Sequence, residues 1–309
     1  MNKINVLLTG STGFLGFETL KQLCSRNINK IYALYRSEEK RNLAILNLPK
    51  NNKIIFLKGD LDTFSVPSDV NVVIHSAAAR PNICSNYVAK KVNVSGTKKL
   101  IEQLEVRQDV KFIYISTQAV YGSLGNNITE NFKLSPMTIY SQSKYEAELE
   151  VISNINIKSV ILRISRIIGP SIFSNSDNIV STIFPNKIIN NDPITLYGNV
   201  SKIVDFIDVR DVASSIVKVV GSTDNSILGE TFNISSNKGI TIEGLVECFI
   251  EWGKKNNTIV SVNKRDIDNK NQIFTICNDK AKNYLDWKPM ISIEKSISDT
   301  MDYVIKNQG

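Results

Sequence analysis

The sequence predicts an α/β fold, a doubly wound parallel sheet followed by a smaller C-terminal α/β lobe. Three observations carry that expectation: short β-branched runs alternate with segments of helical period, a glycine-rich turn follows the first run, and 309 residues suffice for two lobes. Ile4 to Thr9 is a short apolar run closing on Gly10, Phe14 to Cys24 repeats its apolar residues with helical spacing, and Ile31 to Leu34 is apolar again. This reads as strand, helix, strand. Ile54 to Leu57, Val70 to Ser76 and Val110 to Ser116 supply three further strands, with a helix from Tyr87 to Glu105 between the last two. A helix from about Ile139 to Ser153 then leads into Ser159 to Ile164, the sixth strand. Strands joined through helices in this way run parallel and are covered on both faces.

Composition excludes several classes of protein. An apolar content of 42% with 22% charged residues is that of a globular chain. No run approaches the length of a membrane-spanning helix, and MNKINVLLTG passes straight into a strand without an export signal, so a cytoplasmic location with no membrane partner is expected. Cys24, Cys84, Cys248 and Cys277 are scattered without metal-ligand spacing and read as reduced packing residues. His75 is the only histidine, which removes multi-histidine metal centres, and no metal is expected. The net charge of +7 would suit a polyanion, but the lysines are dispersed among Asn and Ile rather than clustered with aromatic residues. No nucleic-acid partner is expected, while a phosphate-bearing small substrate would profit from such a field.

The glycine-rich turn is Gly10-Ser11-Thr12-Gly13-Phe14-Leu15-Gly16, at a strand-to-helix junction. One glycine permits the tight turn, one lets the backbone approach a pyrophosphate, one allows close helix–strand packing, and the helix N-terminus meets the phosphate charge. It predicts a dinucleotide cofactor. The end of the second strand, Ala33-Leu34-Tyr35-Arg36-Ser37, lacks the acid that would accept from the ribose hydroxyls of NAD. Arg36, supported by Ser37 and by Lys40 or Arg41, can pair with a 2′-phosphate, so NADP is preferred and NAD is the alternative. Asp60-Leu61, at the end of the third strand, is placed to reach the adenine edge.

A second motif, Tyr140-Ser141-Gln142-Ser143-Lys144, puts Tyr140 and Lys144 on one face of a helix. A tyrosine hydroxyl titrates near pH ~10, so its use as a base near neutrality needs a cation beside it. Lys144 provides one. Upstream, Ile115-Ser116-Thr117-Gln118-Ala119-Val120-Tyr121-Gly122 closes the fifth strand, and Thr117 offers a hydroxyl to the reacting oxygen.

With these motifs in place the chain resembles, almost from end to end, the extended short-chain dehydrogenase/reductases with a Rossmann sheet, and among them the nucleotide-sugar epimerase/dehydratase group. Further markers follow in order: Val73-Ile74-His75-Ser76-Ala77-Ala78, Asn93-Val94-Ser95-Gly96-Thr97, Leu162-Arg163 with Gly169-Pro170, the Asp205 to Ala213 run, Gly229 to Ile234, and Leu285-Asp286-Trp287-Lys288-Pro289. The resemblance implies a dinucleotide-binding domain over 1–165 with a return segment near 203–234, and a mostly substrate-binding lobe over 166–309. It further implies that Ala77 and Ala78 line the cofactor, that Asn93 orients the network beside it, that Lys144 binds its ribose, that His75 is structural, and that the chain pairs as a homodimer.

Departures from the family pattern bear on the reaction. Members that eliminate water usually carry an acidic pair after the Thr117 position, where this chain has Gln118 and Ala119, neither able to exchange protons. Dehydration is therefore disfavoured, leaving a 4-keto-sugar reductase or a 4-epimerase, and the NADP preference tips the expectation to the reductase. Val204 and Arg166 replace residues that commonly touch the nucleotide diphosphate, so Arg166, Lys202 and Arg265 are the substrate-side cations expected here. A cofactor-sensing regulator or a nucleic-acid binder could use the same fold, but the retained Thr117, Tyr140 and Lys144 speak for turnover.

Overall fold

In the computed structural model, residues 4–308 are described apart from 51, 81–84, 108–109, 155, 174–178 and 269. The first half runs β1 (Asn5–Thr9), α1 (Phe14–Cys24), β2 (Lys30–Tyr35), α2 (Glu38–Asn47), β3 (Ile54–Lys58), β4 (Val72–His75), α3 (Asn86–Lys90), α4 (Gly96–Glu102), β5 (Lys111–Thr117), β6 (Gly125–Ile128), α5 (Ile139–Ser153) and β7 (Lys158–Ile164). The second half runs β8 (Arg166–Ile168), α6 (Phe184–Ile189), β9 (Ile194–Asn199), β10 (Ile203–Asp208), α7 (Val209–Gly221), β11 (Thr231–Ile234), β12 (Gly239–Thr241), α8 (Ile242–Lys255), β13 (Val262–Asp268), β14 (Ile273–Ile276), α9 (Asp279–Leu285) and α10 (Ile293–Gln308).

Seven parallel strands form the main sheet in the order β3-β2-β1-β4-β5-β7-β11. The alternation of side chains explains why each run is apolar throughout. Val6 and Leu8 of β1 pack on one face with residues of α1, α7 and α9, while Leu7 packs on the other with Leu100 of α4 and Ala147 of α5. Trp287 ties the C-terminal stretch to this unit, its Nε1 donating to Asp211 O at 3.2 Å and to Ser214 Oγ at 2.8 Å. Asp211 in turn accepts from the Met290 and Ile291 amides.

Two sequence expectations are corrected. The single helix from Tyr87 to Glu105 is α3 and α4 joined by a π-helical turn, Lys91–Ser95, and it ends at Glu102. The wide turn carries Asn93, which is buried and bonded across to Ala79, a partner that a helix of uniform pitch was not read to serve. The fourth strand starts at Val72 rather than Val70 and stops at His75, and just before it the Asn71 side chain accepts from the Asn5 amide at 2.8 Å.

The chain leaves β7 and, after Ser165 alone, enters β8 beside β10, so the main sheet and the second lobe are joined at the strand C-termini. In that lobe β10 also pairs antiparallel with β12 and parallel with β14, which continues to β6, and β9 and β13 form a separate parallel ribbon. Phe206, Phe249, Trp252, Ile297 and Met301 are part of its core, contributed by β10, α8 and α10. Among the described residues no helix is long and apolar enough to cross a membrane. Cys24 and Cys277 are buried and Cys248 is half-buried, with no disulfide among the described residues; Cys84 lies outside them.

Candidate active site

The turn between β1 and α1 is built where no side chain fits. Gly10 has φ +69°, and a Cβ there would lie 2.8 Å from the Ala77 backbone nitrogen. One at Gly16 would drive into the Gly10 carbonyl, and the Gly13 amide donates to that same carbonyl at 2.9 Å. Ser11 Oγ donates to Leu34 O, so the turn is also fastened to β2. Gly13 caps α1 without a side-chain acceptor, which leaves the helix's first N–H groups for an anion. Thr12 and Phe14 are half-buried beside it and Leu15 is buried. The cradle fits a dinucleotide phosphate.

Behind the turn runs a chain of hydrogen bonds with only one consistent direction. The Ala77 amide donates to Thr9 Oγ1 at 3.1 Å, and Thr9 Oγ1 lies 2.8 Å from His75 Nδ1. On the other side His75 Nε2 lies 2.9 Å from Thr97 Oγ1, which donates to Asn93 O at 2.6 Å. Since the Thr97 proton is committed to Asn93, Thr97 must accept from Nε2–H, and Nδ1 is the bare nitrogen that accepts from Thr9. Burial, helped by the Lys144 charge, pushes the imidazole pKa down to about 3, so His75 is a neutral structural link. Asn93 extends the network: its amide group accepts from Ala79 N at 2.7 Å, donates to Ala79 O at 3.0 Å and reaches Ser143 Oγ on α5 at 2.9 Å. Ala77 and Ala78 are half-buried in the strap this network holds.

At the end of β2, Arg36 is exposed and Ser37 caps α2, accepting from the Lys40 amide at 3.3 Å. The Arg41 guanidinium rests against the Tyr35 and Phe56 rings. Glu38, an acid three residues beyond β2, is held by Lys58 at 3.1 Å and by the Tyr35 hydroxyl. Asp60 Oδ1 closes its own turn, accepting from the Asp62 and Thr63 amides and from Thr63 Oγ1, and Leu61 packs under Gly96.

Tyr140 and Lys144 stand on α5, which packs against β5 and the turn that follows it, and Thr117 is the last residue of β5. A reciprocal cap between Thr138 and Ser141 starts α5 immediately ahead of Tyr140. Lys144, 3% exposed, donates to Ile115 O at 2.6 Å and stands 4.1 Å from the Tyr114 ring centre. Burial pulls its pKa down to about 7, against the opposing pull of Glu148. Burial also raises Tyr140, and the charge of Arg80 works the other way. Thr117 Oγ1 accepts from the Ala119 amide, which aims the strand end, and Gln118 is buried with no partner for its Oε1 among the described residues.

The expected substrate-side cations lie on three different strands or strand connections. Arg166 begins β8 opposite Phe206, its guanidinium 5.9 Å from that ring, and its charge reaches Lys202, which donates to Ser123 O at 3.0 Å. Lys202 thereby touches the segment following Thr117. Arg265 is exposed on the β9–β13 ribbon opposite Tyr197. Sequence reasoning missed Arg80 near Tyr140, and it missed Ser116 and Glu148. The repeat Tyr140, Lys144, Glu148 at intervals of four was the available signal for Glu148.

The model of the NAD dependent epimerase/dehydratase family matches residues 6–235. The chain belongs to that family. It is therefore related to extended short-chain dehydrogenase/reductase enzymes acting on nucleotide sugars. A rice UDP-glucose 4-epimerase 4 (Oryza sativa subsp. japonica) is 26% identical, the match covering 98% of this chain and 90% of the relative. A dTDP-glucose 4,6-dehydratase from Xanthomonas campestris pv. campestris is 24% identical, covering 98% and 93%. The crystal structure of a UDP-glucuronic acid 4-epimerase from Bacillus cereus in complex with NAD has the same fold, with a TM-score of 0.88, 21% identity, and coverage of 99% of this chain and 100% of that one.

The neutral His75 makes stability pH-dependent in a defined sense. Its folded pKa of about 3 lies below the ordinary 6.5, so its contribution is complete above pH 6.5 and is lost as pH falls toward 3. In that window His75 should contribute a slope of roughly 1.4 kcal/mol per pH unit in chemical denaturation. His75→Gln, which keeps one donor and one acceptor but cannot take up a proton, should flatten the acid side by about one proton; an unchanged slope would assign the dependence elsewhere.

Proposed function

We propose that the chain is a nucleotide-sugar 4-epimerase that works by reversible hydride transfer at a hydroxyl-bearing carbon, with Thr117, Tyr140 and Lys144 as its catalytic residues. The observation that carries this reading is that Lys144, one turn after Tyr140 on α5, donates to Ile115 O two residues before Thr117 closes β5, with a neutral Gln118 and Ala119 following. The glycine turn, the Ala77–Ala78 strap and Lys144 are the residues suited to hold a nicotinamide dinucleotide, which when bound supplies the acceptor and donor of hydride. Thr117 donates a hydrogen bond to the substrate oxygen. Tyr140 removes the proton from that oxygen and later returns it, and the Lys144 ammonium favours its phenolate. Arg166 and Lys202 supply positive charge for a diphosphate. Without a carboxylate after Thr117 no group there can move a proton to or from a neighbouring carbon, so elimination of water is not part of the reaction.

A reaction that needs a nicotinamide dinucleotide and a nucleotide sugar suits an enzyme of the cytoplasm. Tyr87 and Val88 on α3, and Leu149 and Ile152 on α5, are exposed apolar side chains on helices that pack together, which supports a homodimer through these helices.

Incubation with UDP- and dTDP-hexoses, followed by product mass and by chromatography of the epimers, tests the reaction. An epimer of unchanged mass is expected, with no net change in nicotinamide absorbance. Tyr140→Phe should lose at least about two orders of magnitude in turnover while retaining cofactor. A product lighter by one water, formed at a catalytic rate, would overturn the reading.

A second reading, a 4-keto-sugar reductase drawing on NADPH, is favoured by the exposed, unacidic end of β2 at Arg36. If it holds, Arg36→Ala weakens NADP binding by about tenfold or more and leaves NAD nearly unaffected, since only NADP has a phosphate to lose. Equal weakening in fluorescence titrations with the two cofactors would leave Arg36 as a surface residue.

A further inference from the structure

Tyr140, Lys144 and Glu148 lie four residues apart on α5 and so share one face of the helix. Glu148 is 0% exposed. It accepts a short hydrogen bond from Ser116 Oγ, the residue before Thr117. Its two oxygens are also gripped by Arg163 of β7, at 3.1 Å and 3.2 Å from Nε and 2.7 Å from Nη2. Arg163 spends its remaining nitrogen on Tyr121 Oη at 3.0 Å and Glu130 O at 3.2 Å. A buried ion pair contributes little to stability over apolar residues of the same volume, yet this one has nearly every polar atom satisfied and joins α5 to the ends of β5 and β7.

We propose that Glu148 is a positioning residue for hydride transfer: through Ser116 it fixes Thr117 against the Tyr140 helix, and it sets a carboxylate one turn from Lys144 on the same helix face. The inference rests on the assignment of Thr117, Tyr140 and Lys144 made above. The groups facing Lys144 are the Tyr114 ring and Ile115 carbonyl of β5, the neutral His75 of β4, and Tyr140 and Glu148 of its own helix. Among the described residues Glu148 is the anion acting on it, and burial alone works against the charged form. Arg163 grips the same carboxylate from β7. Without Glu148, Lys144 gives up its proton more readily, and the ammonium that would support a Tyr140 phenolate is lost.

Three variants of the full-length protein separate positioning from bracing: Ser116→Ala, Glu148→Gln, and the pair Glu148→Leu with Arg163→Met, which removes both charges together and is expected to fold. In the paired variant the ¹³Cε titration of Lys144, identified by its disappearance in Lys144→Met, should move down by about one pH unit. The acid limb of kcat should move up by a similar amount, and kcat should fall roughly tenfold to a hundredfold with KM nearly unchanged. Ser116→Ala should lower kcat without moving either midpoint. A paired variant that folds with an unmoved Lys144 titration overturns the proposal whether or not any sugar is turned over. A failure of the wild-type protein to convert nucleotide sugars, with the Lys144 shift present, would instead count against the reaction assigned above.

Discussion

A neutral imidazole holds the cofactor side of this protein together. His75 sits at the C-terminal end of the central strand β4, and its two nitrogens need opposite roles, acceptor toward Thr9 and donor toward Thr97. Both directions are set by backbone groups that cannot reverse, the Ala77 N–H at one end and the Asn93 carbonyl at the other. A second ring proton would turn the Nδ1 acceptor into a donor facing a committed hydroxyl, inside a site without water access to compensate. From this one link follow the contact of the Gly10 turn with the Ala77 strap, the placement of Asn93 by the π-helical turn, and the attachment of that turn to α5 through Ser143.

The substrate side is organised by an unusual division of α5. Its buried residues are mostly polar: Ser141, Ser143, Lys144 and Glu148 lie inward with Ala147 and Val151. A helix of this kind obtains little from apolar burial on that face and depends on hydrogen bonds to β5, β7 and the π-helical turn. The dependence has a chemical use. Lys144 is dry enough to be held near neutrality in pKa, and close enough to a carbonyl, a ring and a carboxylate to keep its charge available to Tyr140.

Much of this architecture was legible in the residues. The glycine turn announces itself because Gly10 and Gly16 occupy places where a Cβ meets backbone, and the strand runs were legible because burial on both faces leaves no polar alternation to confuse them. Tyr140 and Lys144 were found by their spacing together with the Thr117 strand upstream, since α5 has no apolar stripe to mark its inner face. What stayed hidden depends on contacts between segments far apart in sequence. Glu148 and Arg163, read singly, are charged residues of the sort usually placed in solvent. The π-helical turn leaves no trace in periodicity. Lys202 and Arg265 were read only as candidate substrate-side cations, and neither the bond of Lys202 to Ser123 O nor the pairing of the Arg265 ribbon with β9 shows in a local pattern.

The direct measurement is the fate of a deuterium placed on the reacting carbon of a UDP-hexose during turnover in ordinary water. Hydride transfer with return to the same carbon predicts an epimerised product that retains the label there, with a slowed rate when the label is present and no solvent hydrogen gained at adjacent carbons. Loss of the label to water, or solvent hydrogen appearing on the neighbouring carbon, would contradict a mechanism built on Thr117, Tyr140 and Lys144 alone.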